Sequence, residues 1–136
     1  MRALHVRHHR VVLGDVDSAG VVYFASVFRW HEHSFSEWLA ERYEPLGRIL
    51  GTGSGLPVVA SSAEYPAAIH QDDVLTLQSW ATEVKRSSFL FGTTMLREGT
   101  LTATVTTRHV WTRRNPDGDF SSTELPPSLR MQLSGP

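Results

Sequence analysis

Residues 14–24 read Gly-Asp-Val-Asp-Ser-Ala-Gly-Val-Val-Tyr-Phe and set two carboxylates, Asp15 and Asp17, in a short polar loop. Gly20 follows Asp17 by three residues, and neither glycine nor proline recurs before Pro45. A carboxylate at the mouth of a helix has two uses. As a turn or capping residue, Asp17 accepts hydrogen bonds from the first free helix amides. As a reactive group, it stands beside outward-pointing amides that hold developing negative charge. A carbonyl oxygen seated on those amides occupies an oxyanion hole, and the carboxylate can then attack the carbonyl carbon or activate a water. Gly20 would turn the backbone with no side chain in the carbonyl's path. Such chemistry suits a thioester better than an amide. Its resonance is weak and its leaving group good, so no serine–histidine relay is needed.

Other residue types offer less. His31 and His33 are two apart on a helical pattern and point to different sides. His8 and His9 are neighbours on a strand pattern and face opposite ways, while His70 and His109 lack partners in sequence. No metal site is expected from that spacing. The glycine-rich run at 51–55 follows no strand and precedes Leu-Pro-Val, so it fails as a phosphate loop. It is not Gly-x-Ser-x-Gly either, which leaves Ser54 a poor nucleophile, and it reads as a flexible connection. Glu32, two turns into the helix, either faces solvent or meets a substrate hydroxyl, and Glu37 and Glu41 are the other helix carboxylates to note. Lys85 and Arg86 form either a solvated turn or a phosphate contact. Trp30, Trp38, Trp80 and Trp111 read as core or interface aromatics.

Several elements must position these groups. Residues 4–13 suggest a strand. Residues 21–44 predict the longest helix, with Phe24, Phe28, His31, Phe35, Trp38 and Leu39 in one apolar stripe. Strands are expected over 57–65, 73–86, 87–98 and 100–114, the last three as an antiparallel meander. A turn at 115–119 leads to a last strand near Phe120 and an irregular end. One helix among many strands is an α+β pattern in which the helix stripe packs on one sheet face. An uncovered edge or face then favours dimerisation.

The bulk numbers set limits. The 136 residues predict a single domain, 1–136, with a real core. A formal net charge of −1 excludes a basic field for nucleic acid or a polybasic membrane patch. Without cysteine there is no disulfide, thiolate metal site or cysteine nucleophile. No apolar run approaches a membrane span, and the N-terminal ten residues do not form a secretory signal. A soluble, cytoplasmic protein is expected.

The line GDVDSAGVVYFASVFRWHEHSF resembles the signature loop and helix of the 4-hydroxybenzoyl-CoA thioesterase class of hotdog-fold acyl-CoA thioesterases. Asp17, Gly20, Val21, Val22 and Tyr23 match its outline in order. LPVVASSAEYPAAIHQDDVLTL and VKRSSF resemble the family's second and third strands and the basic turn before its fourth. AGVVYFA, the His-Glu at 31–32 and TRHVW are similar to the 1,4-dihydroxy-2-naphthoyl-CoA branch. GDVDSAG, FRW and QDDVLT are similar to the 4-hydroxybenzoyl-CoA branch. The resemblance implies a hotdog fold, with a long helix wrapped by an antiparallel sheet, and hydrolysis of an aromatic acyl-CoA to free acid and CoA. It implies that Asp17 is nucleophile or general base and that the helix entry at Tyr23 and Phe24 supplies the oxyanion donor. Lys85 and Arg86 would contact the CoA phosphates, while Asp15 stays a solvated or turn residue. It further implies a homodimer or homotetramer, sites between subunits, and no metal or redox cofactor, CoA being part of the substrate. The chain departs from the pattern at Ala25–Ser26, where many relatives carry asparagine. Rival readings are a non-catalytic acyl-CoA-binding module and a hydrolase of acyl chains on a carrier protein. A hotdog dehydratase is disfavoured because no histidine lies between residues 10 and 30.

Overall fold

The computed structural model describes residues 2–135. Five strands build the main sheet: β1 (His5–Arg10), β3 (Val58–Glu64), β4 (Val74–Thr82), β5 (Ser88–Arg97) and β6 (Thr100–Val110). They lie in the order β1–β4–β5–β6–β3, and every neighbouring pair is antiparallel. The helix α1 (Ser26–Arg42) packs across one face of this sheet. A smaller sheet joins β2 (Ser54–Gly55), β7 (Thr112–Arg114) and β8 (Phe120–Ser122). Two short helices, α2 (Leu46–Gly51) and α3 (Pro127–Leu133), add Ile49, Leu129 and Leu133 to the core around Trp38.

The meander of β4, β5 and β6 follows the expected order. Its second hairpin turns on Glu98 and Gly99, both at positive φ (48° and 82°), as a two-residue turn matching strand twist requires. Trp80 lies opposite Gly92 across β4 and β5. A Cβ at residue 92 would sit 2.2 Å from the indole, so glycine there is a steric requirement.

Three expectations need correction. The helix begins at Ser26 instead of residue 21, because Val21 and Val22 are extended: Val21 bridges His70 and the Val22 amide donates to the Ile69 carbonyl at 2.9 Å. β-Branched residues take this conformation readily. The buried stripe is therefore Val27, Trp30, His31, Ser34, Phe35, Trp38 and Leu39, while Phe24 is 63% exposed. The glycine-rich connection contains α2 and β2 instead of a plain loop. The tail is helical because Pro127 opens α3 with a preset φ and Leu129 and Leu133, four apart, are buried.

The core divides in two along α1. Val27 and Trp30 pack with Ile69, Leu75, Leu77 and Met95 at one end. Phe35, Trp38 and Leu39 pack with Phe89, Phe91 and Trp111 at the other. Between them His31 is buried, its ring nitrogens 2.7 Å and 2.8 Å from the hydroxyls of Thr93 and Thr107. Burial, with His109 nearby adding to the effect, pushes His31 down from 6.5 to about 4. Burial lowers His109 too, although the Leu56 carbonyl opposes the shift. Among the described residues no helix is long and apolar enough to cross a membrane.

The folded protein therefore refuses at His31 a proton that the unfolded chain takes up below pH 6.5. Stability is level above that pH and falls as pH drops from 6.5 towards 4, by about 3 kcal/mol from this group. Urea unfolding at pH 7 and pH 5 should show the loss. His31→Gln, which takes up no such proton, should show a smaller difference between the two pH values.

Candidate active site

Asp15, expected as a solvated or turn residue, closes a 3-10 turn (Leu13–Asp15) and is buried instead of solvated, 3% exposed. Its Oδ2 accepts from the Val12 amide and from His9 Nε2–H, each at 2.9 Å. Its Oδ1 accepts from Arg29 at 2.7 Å and from the Trp30 indole N–H at 3.2 Å. Burial alone would raise this carboxyl, but the four donors outweigh it and hold it below the usual carboxylate range. With both oxygens occupied, Asp15 is ionised and unavailable as a nucleophile. Its backbone carbonyl accepts from Ser26 Oγ–H and from the Tyr23 amide, both at 2.9 Å. Ser26 thus ties the helix start to the loop.

Asp17 is exposed and lies in a tight hairpin. Its amide donates to the Val21 carbonyl at 2.8 Å, and Val16 bridges Val22. Its Oδ1 accepts from the Ala19 amide at 2.9 Å and weakly from Val21 at 3.4 Å. Gly20, at φ +77°, closes the turn by donating to the Asp17 carbonyl at 3.0 Å. Oδ2 has no hydrogen bond among the described residues. One oxygen anchors the side chain and the other is free, so Asp17 is a turn residue and a usable base or nucleophile together. It does not cap α1, which starts nine residues later.

The helix entry separates the two expected donors. The Tyr23 amide is taken by Asp15. Among the described residues nothing accepts from the amides of Phe24 or Ala25, and these two precede α1. Phe24 is thus not in the first helical turn, as its matching position implied, but its N–H is free at the helix mouth. Tyr65, next to β3, donates its phenol to the Phe24 carbonyl and fixes that peptide plane. Val21, Val22, Phe24, Tyr65, Ala67 and Ala68 line an open, mostly apolar cleft of about 360 Å³ here.

Glu32 lies on an exposed part of α1 and borders a second cavity of about 250 Å³ between α1, β3 and β6. Its Oε1 accepts from Ser36 Oγ–H at 2.7 Å. Glu37 instead pairs with His5 at 2.9 Å and with Arg7, and Glu41 lies 3.8 Å from His5. Lys85 and Arg86 are exposed in the β4–β5 turn, where Arg130 of α3 donates to both of their carbonyls. Neither side chain has an acidic partner among the described residues. The Asp17 hairpin joins the segment before β4, and this basic turn follows the other end of β4, about 25 Å away. One chain therefore does not bring Asp17 together with Lys85 and Arg86. Ser54 is buried in β2. Among the described residues no three acidic or histidine side chains are placed to hold a metal ion.

Residues 11–133 match the family described as the thioesterase-like superfamily. A 4-hydroxybenzoyl-CoA thioesterase of Pseudomonas sp. (strain CBS-3) is 28% identical over 113 residues, 81% of this chain and 69% of that protein. The structure of a 1,4-dihydroxy-2-naphthoyl-CoA thioesterase from Synechocystis superposes with a TM-score of 0.86 at 25% identity, covering 96% of this chain and 95% of that one. The dynemicin thioesterase superposes with a TM-score of 0.87 at 24% identity, covering 96% and 94%. Fold and topology are those of the hotdog thioesterases.

Asp15→Asn would turn an amide donor towards groups that already donate. It should lower unfolding stability by roughly 3 kcal/mol in denaturant titration. In the native protein the Asp15 contribution is present at neutral pH and is lost as pH falls through its lowered pKa. The Asn variant should show a correspondingly weaker acid dependence.

Proposed function

The chain belongs to the thioesterase-like superfamily and is a thioester hydrolase; within that class we propose that it cleaves an aromatic acyl-CoA, of the 4-hydroxybenzoyl or 1,4-dihydroxy-2-naphthoyl type, to free acid and CoA. The observation that carries this reading is a carboxylate with one free oxygen on the loop that leads to an unclaimed helix-entry amide at Phe24, a residue that lines an apolar cleft. The thioester carbonyl oxygen accepts from Phe24 N–H, with Tyr23 holding the turn, and the negative charge that develops there is stabilised by the helix entry. Asp17 Oδ2 then acts in one of two ways. It attacks the carbonyl carbon, expelling CoA thiolate and leaving an anhydride that water opens. Alternatively, it takes a proton from the water that attacks. Gly20 keeps the approach open, and Glu32 meets a hydroxyl on the acyl ring. CoA is part of the substrate, so no further cofactor is required, and a CoA ester suits a cytoplasmic enzyme.

The distance between Asp17 and the Lys85–Arg86 turn supports a site shared by two protomers. β3 is one of the two edge strands of the main sheet, with Val58 and Val59 more than half exposed (51% and 58%). Pairing β3 with its copy would cover that edge and bring the Asp17 end of one protomer towards the basic end of its partner. The assembly we propose is a homodimer, alone or paired into a tetramer.

Asp17→Asn should reduce thiol release from 4-hydroxybenzoyl-CoA about a thousandfold or more, with unchanged circular dichroism. Full turnover in that variant would remove Asp17 from the mechanism. Refolding Asp17→Asn chains together with chains carrying both Lys85→Ala and Arg86→Ala should restore about a quarter of the sites in an equal mixture. A site contained in one chain would show no such rescue at low substrate concentration.

A further inference from the structure

Under α1 a line of side chains crosses the sheet between the two halves of the core. Ser79 Oγ lies 3.0 Å from Thr93 Oγ1, which lies 2.7 Å from His31 Nδ1. His31 Nε2 lies 2.8 Å from Thr107 Oγ1, and that hydroxyl lies 2.9 Å from His109 Nε2. His109 Nδ1 ends the line, 3.2 Å from the Leu56 carbonyl. All of these side chains are buried, and both imidazoles are neutral.

The last contact sets every proton. A carbonyl only accepts, so His109 carries its hydrogen on Nδ1 and its Nε2 must accept. Thr107 therefore donates its only hydroxyl hydrogen to His109 and accepts from His31 Nε2–H. His31 Nδ1 accepts from Thr93, whose oxygen in turn accepts from Ser79. The line runs one way, from Ser79 to Leu56.

His31, Thr107 and His109 border the cavity between α1, β3 and β6, whose apolar walls are Phe28, Phe35 and Val58. Each hydrogen on those three polar side chains is already committed within the line. Of the buried polar side chains, only the second lone pair of Thr107 Oγ1 remains for a ligand, an acceptor; further out the Glu32 carboxylate also accepts, and the exposed Ser61 hydroxyl can donate or accept. Residue 31 is seven positions beyond residue 24, about 10 Å at helical rise, the reach of a carbonyl, a benzene ring and a para oxygen with a hydrogen bond at each end.

We propose that Thr107 is a specificity residue that accepts a hydrogen bond from a hydroxyl on the acyl ring, with His31 and His109 as positioning residues that keep its hydrogen turned away. The proposal rests on the thioesterase reading for the orientation of the acyl group. A hydroxylated ring is favoured over a bare one, and an acceptor or carboxylate placed against Thr107 meets its lone pair and gains nothing there.

The test uses non-hydrolysable ketone analogues, 4-hydroxyphenacyl-CoA, phenacyl-CoA and 4-methoxyphenacyl-CoA, with binding measured by calorimetry. The wild type should prefer the hydroxylated over the bare analogue about tenfold. Thr107→Val should abolish that preference by weakening the hydroxylated analogue alone, and Thr107→Ser should retain it. His109→Phe keeps the ring stacked on Phe35 but frees the Thr107 hydrogen. It should raise affinity for the methoxy analogue relative to the bare one, a change that lost packing would not produce. A wild type without preference, a preference surviving Thr107→Val, or no methoxy gain in His109→Phe would overturn the proposal. Thiol release from the matching thioesters is followed in parallel. Its absence for every ester would dismiss the hydrolase reading, while the binding ratios still decide the role of Thr107.

Discussion

Four hydrogen bonds converge on the Asp15 carboxylate, from His9 on β1, the Val12 amide, and Arg29 and Trp30 in the first turns of α1. The same residue's carbonyl holds Tyr23 and Ser26. A buried carboxylate is tolerated only when its lone pairs are filled, so the loop has one arrangement in which these donors all reach it. That arrangement fixes where the Asp17 hairpin emerges and which helix-entry amides stay open. The exposed chemistry is thus set by a buried ion that takes no part in it.

Two neighbouring aspartates consequently have opposite fates. Asp15 spends both oxygens on structure, whereas Asp17 spends one on the amides of its own turn and keeps the other free. The free oxygen and the Phe24 amide lie at one end of the sheet, and the basic turn of Lys85 and Arg86 lies at the other. In the proposed homodimer, antiparallel pairing of two β3 edges would set opposite ends side by side.

The polar line beneath α1 is unusual in that its cost in stability at mild acid pH accompanies a gain in definition. Two neutral imidazoles between threonine hydroxyls could hydrogen-bond in either direction if left alone. The Leu56 carbonyl removes the choice, and a cavity wall of fixed polarity results. An apolar replacement of similar volume would pack as well but would present no acceptor to a ligand.

Much of this was legible in the residues themselves. The strand meander followed from β-branched runs broken by short turns, and Pro45 stood just past the end of α1. The Asp17–Gly20 turn was visible because glycine at that spacing answers a positive φ. The start of α1 was not, since Val21 and Val22 suit a helix stripe or an extended pairing and only Ile69 and His70 decided between them. His31 and His109, 78 positions apart, gave no sign of sharing Thr107. By itself the sequence determined much of the local geometry: the strands of the main sheet, the turns between them, and that a carboxylate precedes a helix. Only the tertiary structure decided which carboxylate is saturated and which is free, because the donors that fill Asp15 come from positions 9, 12, 29 and 30, and packing, not spacing, brings them to one point.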